Sequence, residues 1–121
     1  MNEQRGRQYH RERVGEALKE EVGAILEGEL GDPRIALCTV TEVLLMPDGK
    51  NAKVFLNVVG DEQEAKDTLA AVRAAQGYIR HQLRERLGKR HIPELTFHLD
   101  NSQEYGSRID ELLGRIKKRS R

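Results

Sequence analysis

Apolar residues recur at intervals of three and four early in the chain: Val14, Ala17, Leu18, Val22, Ile25 and Leu26. Glu16, Lys19, Glu20 and Glu27 fill positions between them. That spacing follows the helical turn and predicts an amphipathic helix over about residues 8–29. Gly28 and Gly31 end it, and the Asp32-Pro33 pair forbids its continuation. Residues 34–46 are then rich in β-branched and aliphatic side chains, which favours a strand. Its alternation falters between Cys38 and Thr41, where a bulge is expected. Met46-Pro47-Asp48-Gly49 has turn chemistry, with Pro presetting one dihedral and Gly supplying a positive one. Ala52, Val54, Leu56 and Val58 alternate with Lys53, Phe55 and Asn57, so a second strand closes a hairpin.

Helical spacing returns after Gly60-Asp61, through Ala65, Leu69 and Val72 to about Ala75. Gly77 interrupts it. Ile79, Leu83 and Leu87 mark a further helix, ended by Gly88. After Pro93, Leu95, Phe97 and Leu99 alternate with Thr96, His98 and Asp100, a third strand. Asn101 or Ser102 caps a last helix. Asn101 has Glu104 at capping-box spacing, and Ile109, Leu112, Leu113 and Ile116 form the apolar stripe. The order is α-β-β-α-α-β with a C-terminal helix. A helix-containing connection makes strands 2 and 3 parallel through a right-handed crossover. The expected fold is α+β, a mixed three-stranded sheet packed against helices on one face.

The chain of 121 residues is one domain's worth. A basic N-terminal arm is expected over 1–10, one domain over 11–116 and a basic tail over 117–121. The apolar runs are only a few residues long, which predicts neither a transmembrane helix nor a secretory leader. A lone cysteine, Cys38, excludes an internal disulfide and a multi-cysteine metal site, and points to a reducing cytoplasm.

The formal net charge of +1, taken alone, argues against a nucleic-acid partner, but it is a cancellation. From 77 to 93, Arg80, Arg84, Arg86, Lys89 and Arg90 face one acid, Glu85. Residues 108–121 are also strongly basic, while 61–76 and 94–107 are acidic. Local fields depend on where charges sit rather than on their sum. With about 100° of turn per residue, Arg80 and Arg84 flank one side of the Ile79, Leu83 and Leu87 stripe and Arg86 the other. Such a helix packs its aliphatic side inward and shows cations outward, as phosphate attraction requires. A merely solvated face is the bland alternative, although such a face usually mixes signs. Arg5, Arg7, Arg11 and Arg13 in the N-terminal arm, and Lys117, Lys118, Arg119 and Arg121 in the tail, fit the same pattern.

Other chemistry has little support in the sequence. His10, His81, His91 and His98 show no metal-ligand spacing, and Cys38 in a strand reads as a small buried hydrophobe. There is no Walker loop, no Gly-x-Gly-x-x-Gly and no Gly-x-Ser-x-Gly. Tyr78, beside the interhelical glycine, is the ring best placed for stacking, and simple packing is its alternative. No cofactor, metal ion or catalytic residue is expected.

Several separate motifs, from about Arg11 to Ile116, together resemble the ribosome-binding factor A family. They are Arg13-Val14, Asp32-Pro33-Arg34, Thr39-Val40-Thr41-Glu42-Val43 and Ala52-Lys53-Val54. Further along come Ala75-Gln76-Gly77-Tyr78-Ile79-Arg80, Ile92-Pro93-Glu94-Leu95-Thr96-Phe97 and Asp100-Asn101-Ser102. Gly106 and the run Ile109 to Leu113 complete the set. The resemblance implies a type II KH-like fold in which an Ala-x-Gly interhelical kink, matched by Ala75, Gln76 and Gly77, replaces the Gly-x-x-Gly loop. It implies binding to the small (30S) ribosomal subunit and its 16S rRNA, late maturation including 16S rRNA 5′-end processing, growth in the cold, and action beside maturation GTPases without enzymatic activity. RNA contact is then expected at Arg80, Arg84, Arg86, Lys89 and Arg90, with Arg11 and Arg13, in a cytoplasmic protein that nothing requires to be more than a monomer. Gly49 departs from the family, where an apolar residue usually follows the turn Asp. The competing classes are a generic KH-like RNA module, a protein-interaction domain using the acidic first helix, and a small hydrolase.

Overall fold

The computed structural model describes residues 2–28, 35, 38–88 and 91–100. Helix α1 spans Asn2–Gly28, β1 Cys38–Leu45, β2 Asn51–Val58, α2 Glu62–Ala74, α3 Gln76–Leu87 and β3 Glu94–Leu99. The expected order is present through the third strand. The final helix with its Asn101 cap, the basic tail, and the Asp32-Pro33 stop lie outside the described residues. The basic arm joins the first helix: residues 2–10 are the first turns of α1.

The sheet has the order β1-β2-β3. β1 and β2 are antiparallel, with Val43 opposite Val54, and β2 and β3 are parallel, with Val54 opposite Phe97. The expected bulge lies at Thr41, because Val40 pairs with Leu56 but Glu42 with Phe55. The extra residue rephases the strand. Cys38 and Val43 are both buried although five positions apart, so strict alternation could not place them on one face. The Thr41 hydroxyl lies 2.7 Å from Asp100 Oδ2 and 3.3 Å from the Phe55 carbonyl. Its single proton goes to the nearer, charged acceptor, which ties β1 to the end of β3 across β2.

Two glycines carry out the expected turn chemistry. Gly49 has φ +70° in the hairpin turn, a left-handed value that glycine adopts without strain. Gly88 closes α3 with φ +61°, its N–H donating to the Arg84 carbonyl at 2.9 Å. Asp61 caps α2 with a capping box. Its carboxylate accepts from Glu64 N–H at 2.8 Å, and the Glu64 carboxylate accepts from Asp61 N–H.

One face of the sheet is the core. Val54, Leu56, Leu95 and Phe97 are buried against Leu18, Val22 and Ile25 of α1, Val72 of α2, and Ile79 and Leu83 of α3. Each such side chain contributes on the order of 1.5–3 kcal/mol on leaving water. The opposite face carries Glu42, Lys53, Asn57 and Thr96, with the Phe55 and His98 rings 5.7 Å apart. A close approach of backbones lies at Gly15. A Cβ at Gly15 would sit 2.8 Å from the Val43 carbonyl oxygen, so α1 can cross β1 there only without a side chain.

Candidate nucleic-acid interface

The α2–α3 junction lies within the Ala75-Gln76-Gly77 stretch expected to hold the kink. The helix breaks at Ala75, with φ −89° and ψ 5°, and its N–H is shared between the Ala71 and Val72 carbonyls at 3.1 Å. Gly77 sits one residue into α3. It has no positive φ, and a Cβ there would meet no described atom within 4 Å. Its contribution is a low helix propensity next to the break, rather than a contact only glycine allows.

Gln76 has a role that its sequence position did not reveal. Glu94 and Asp100 donate their N–H groups to the Lys50 and Leu56 carbonyls of β2 and its preceding turn. The alternate carbonyls, at Leu95 and Phe97, therefore face the free edge of the sheet. Gln76 Nε2 donates to the Leu95 carbonyl at 2.7 Å and Arg73 Nη2 to the Phe97 carbonyl at 2.8 Å. Arg80 Nη2 donates to the Ile92 carbonyl, just before the strand, at 3.0 Å. Residues 73, 76 and 80 share one helical face across the break, and together they close an edge that would otherwise offer unpaired backbone to another chain.

This removes Arg80 from the set of free cations. Its guanidinium is part-buried, and its Nε has no hydrogen-bond partner among the described residues. Arg86 is engaged as well: its Nη1 lies 3.3 Å from Glu21 Oε2, joining α3 to α1. Arg84 is exposed on the last turn of α3, and Tyr78 is exposed near the start of that helix. Arg13 is exposed and sits 5.8 Å from the centre of the Tyr9 ring, a cation–π distance. Lys89 and Arg90 lie outside the described residues.

The structure brings Arg11 to a place the sequence did not predict. A cleft of about 640 Å³ opens between the start of α1, the β1–β2 turn and the segment joining α3 to β3. Arg7, His10 and Arg11 line it from α1 and His91 from the joining segment, over a floor that includes Val14, Leu45 and Leu87. Lys89 and Arg90 fall in sequence between two of its lining residues, Leu87 and His91. Asp48 is the acid at its margin. The Lys50 N–H, then the Asn51 side-chain amide, hold that carboxyl below the usual carboxylate range. Both of its oxygens are thus occupied within the turn.

Among the described residues, no group of His, Cys, Asp or Glu is placed to hold a metal ion, and no helix is long and apolar enough to cross a membrane. Burial pushes the Cys38 thiol up to about 11, so it is a packed side chain and a poor nucleophile near neutrality.

The sequence profile of the family described as "Ribosome-binding factor A" matches residues 10–113. The chain belongs to the ribosome-binding factor A family. It is 58% identical over 119 residues to a ribosome-binding factor A of Koribacter versatilis, covering 98% of this chain and 97% of that one. The crystal structure of ribosome-binding factor A from Thermus thermophilus is similar with a TM-score of 0.68 and 26% identity. That similarity covers 76% of this chain and 97% of the other. A homology model of the Thermus thermophilus factor, as fitted into the cryo-EM map of a 30S complex, is similar with a TM-score of 0.60 and 29% identity, over 71% and 90% of the two chains. The α+β, KH-like fold expected of the family is the fold of this chain.

Proposed function

We propose that the protein is a ribosome assembly factor that binds the small (30S) ribosomal subunit through its 16S rRNA. Family membership over nearly the whole chain carries this reading, and the likeness to a relative fitted into a 30S complex supports it. The finer parts of the proposal are assistance to late maturation and 16S rRNA 5′-end processing, support of growth in the cold, and action beside maturation GTPases. The protein would work in the cytoplasm as a monomer, and by binding rather than by catalysis.

The geometry suits docking on phosphates. Arg84 stands exposed at the end of α3, and Arg7 and Arg11 line the cleft that Leu87, three residues further along, helps to form. A packed core behind these cations fixes their spacing, so the binding energy favours one rRNA conformation over others. Arg80 contributes by holding α3 against the segment before β3, while the exposed Arg86 joins α3 to α1 through Glu21.

Cosedimentation with small subunits across a salt series tests the reading. Retention should fall steadily as salt rises, because each phosphate contact releases counterions. An Arg84→Glu variant should lose retention while keeping the circular dichroism of the wild type. Retention indifferent to salt and to Arg84→Glu would overturn the electrostatic account. Equal competition by naked single-stranded RNA would favour the generic RNA-binding alternative.

A further inference from the structure

The cleft between α1, the β1–β2 turn and the segment before β3 is not the groove of a KH-like domain beside its interhelical loop. It lies at the far end of α3, about 18 Å along the helix from the Ala75 break. Its volume of about 640 Å³ is that of a small-molecule site. Its chemistry is divided: Val14, Leu45 and Leu87 make an aliphatic floor, while the polar side chains are Arg7, His10, Arg11 and His91, with Asp48 at the margin. A phosphate alone needs no aliphatic floor. An aliphatic side chain of a partner peptide would need no planar cations at the rim.

We propose that this cleft receives an unstacked base of single-stranded rRNA. Val14, Leu45 and Leu87 cover the base, Arg7 and Arg11 neutralise the flanking phosphates, and the His10 and His91 rings offer planes for stacking. Single-stranded RNA is recognised in this manner, by splayed bases on aromatic rings or guanidinium planes beside a cationic track. Among the described residues the lining's cations are Arg7 and Arg11, whose planar guanidinium groups can stack as well as pair. The Asp48 carboxylate is tied to the turn through Lys50 and Asn51, which fixes it at the cleft margin. The inference rests on the reading that the protein binds rRNA.

The test is an amide-resolved NMR titration of the full chain with hexauridylate, with inorganic tripolyphosphate and hexaglutamate as separate arms. Hexauridylate should shift His10, Arg11, Leu45, Gly49 and His91. Arg7→Ala combined with Arg11→Ala should lower the slope of log K against log salt by about 1.4, two contacts at ~0.7 each on a single strand. Ala17→Trp, an exposed position on the cleft wall, should abolish the hexauridylate shifts while leaving the rest of the amide spectrum folded. Shifts confined to the Tyr78 and Arg84 face would overturn the proposal. So would equal shifts from tripolyphosphate, which would mark a phosphate site without a base, or tight binding of hexaglutamate, which would mark a site for an acidic peptide. Cosedimentation of the wild type with small subunits runs in parallel. If it sediments with them while the cleft stays silent, this inference fails and the proposed function stands. If it does not sediment with them, the proposed function fails, and the titration still decides whether the cleft takes RNA.

Discussion

Two glycines on the same helix should respond oppositely to the same substitution. Gly15 and Gly23 both lie inside α1. An alanine at either position gains about 1 kcal/mol of helix propensity. At Gly23 a Cβ meets no described atom within 4 Å, so Gly23→Ala should stabilise the protein by roughly that amount. At Gly15 the Cβ would sit 2.8 Å from the Val43 carbonyl oxygen, roughly 0.6 Å inside the 3.4 Å limit of ordinary contact. The atom it meets is backbone, in a strand fixed by its pairing with β2. Relief therefore requires α1 to move off the sheet, an overpacking penalty of about 1–3 kcal/mol. Comparing the two variants cancels the propensity term. Gly15→Ala should fall about 1–3 kcal/mol below Gly23→Ala in urea unfolding followed by circular dichroism, with an unchanged denaturant slope. Two variants equal within about 0.5 kcal/mol would refute the claim that α1 and β1 approach through Gly15.

Gly77→Ala should fold at least as stably as the wild type, by up to about 1 kcal/mol in the same unfolding assay, because glycine there meets no steric need. Arg80→Ala should cost about 1.5–3 kcal/mol, the range for a hydrogen bond from a charged donor, as it strips the Ile92 carbonyl of its partner. Arg84→Ala should leave thermal melting nearly unchanged. Cys38 should resist an aromatic disulfide reagent in the native state and react fully in urea. Its folded thiol titrates at about 11 against an ordinary value of 9.0, so between those values the unfolded chain releases a proton that the native state keeps. Stability should therefore fall with rising pH across that window, more steeply in the wild type than in Cys38→Ala, as comparison of their unfolding midpoints would reveal.

Local signals made most of the elements legible. The alternation in β2 and β3, the Asp61 cap, the Gly49 turn and the Gly88 stop each depend on neighbours within a few residues. Even the bulge at Thr41 showed as a break in alternation. The candidate site was harder to read because its partners are remote in sequence. Nothing near Arg86 announces Glu21 on another helix, and nothing near Arg80 announces the Ile92 carbonyl as its acceptor. Both arginines had the spacing of a free cationic face; Arg80 donates to a backbone carbonyl, and Arg86, still exposed, pairs with Glu21. Gly15 and Gly77 look alike as sequence, and only the path of α1 over β1 separates them. The cleft joins the start of α1, the hairpin turn and the approach to β3, three places that no local pattern links.

Docking on 16S rRNA through the cationic end that α1 and α3 build, as proposed, predicts a footprint on the small subunit. Chemical footprinting of small subunits with and without the protein addresses it most directly. A localised set of 16S rRNA protections that weakens as salt rises is the expected result. In the triple variant Arg7→Ala, Arg11→Ala and Arg84→Ala, those protections should be lost although the variant remains folded. Unchanged protection by that variant, or the same reactivity at every nucleotide whether or not the wild type is present, would contradict it.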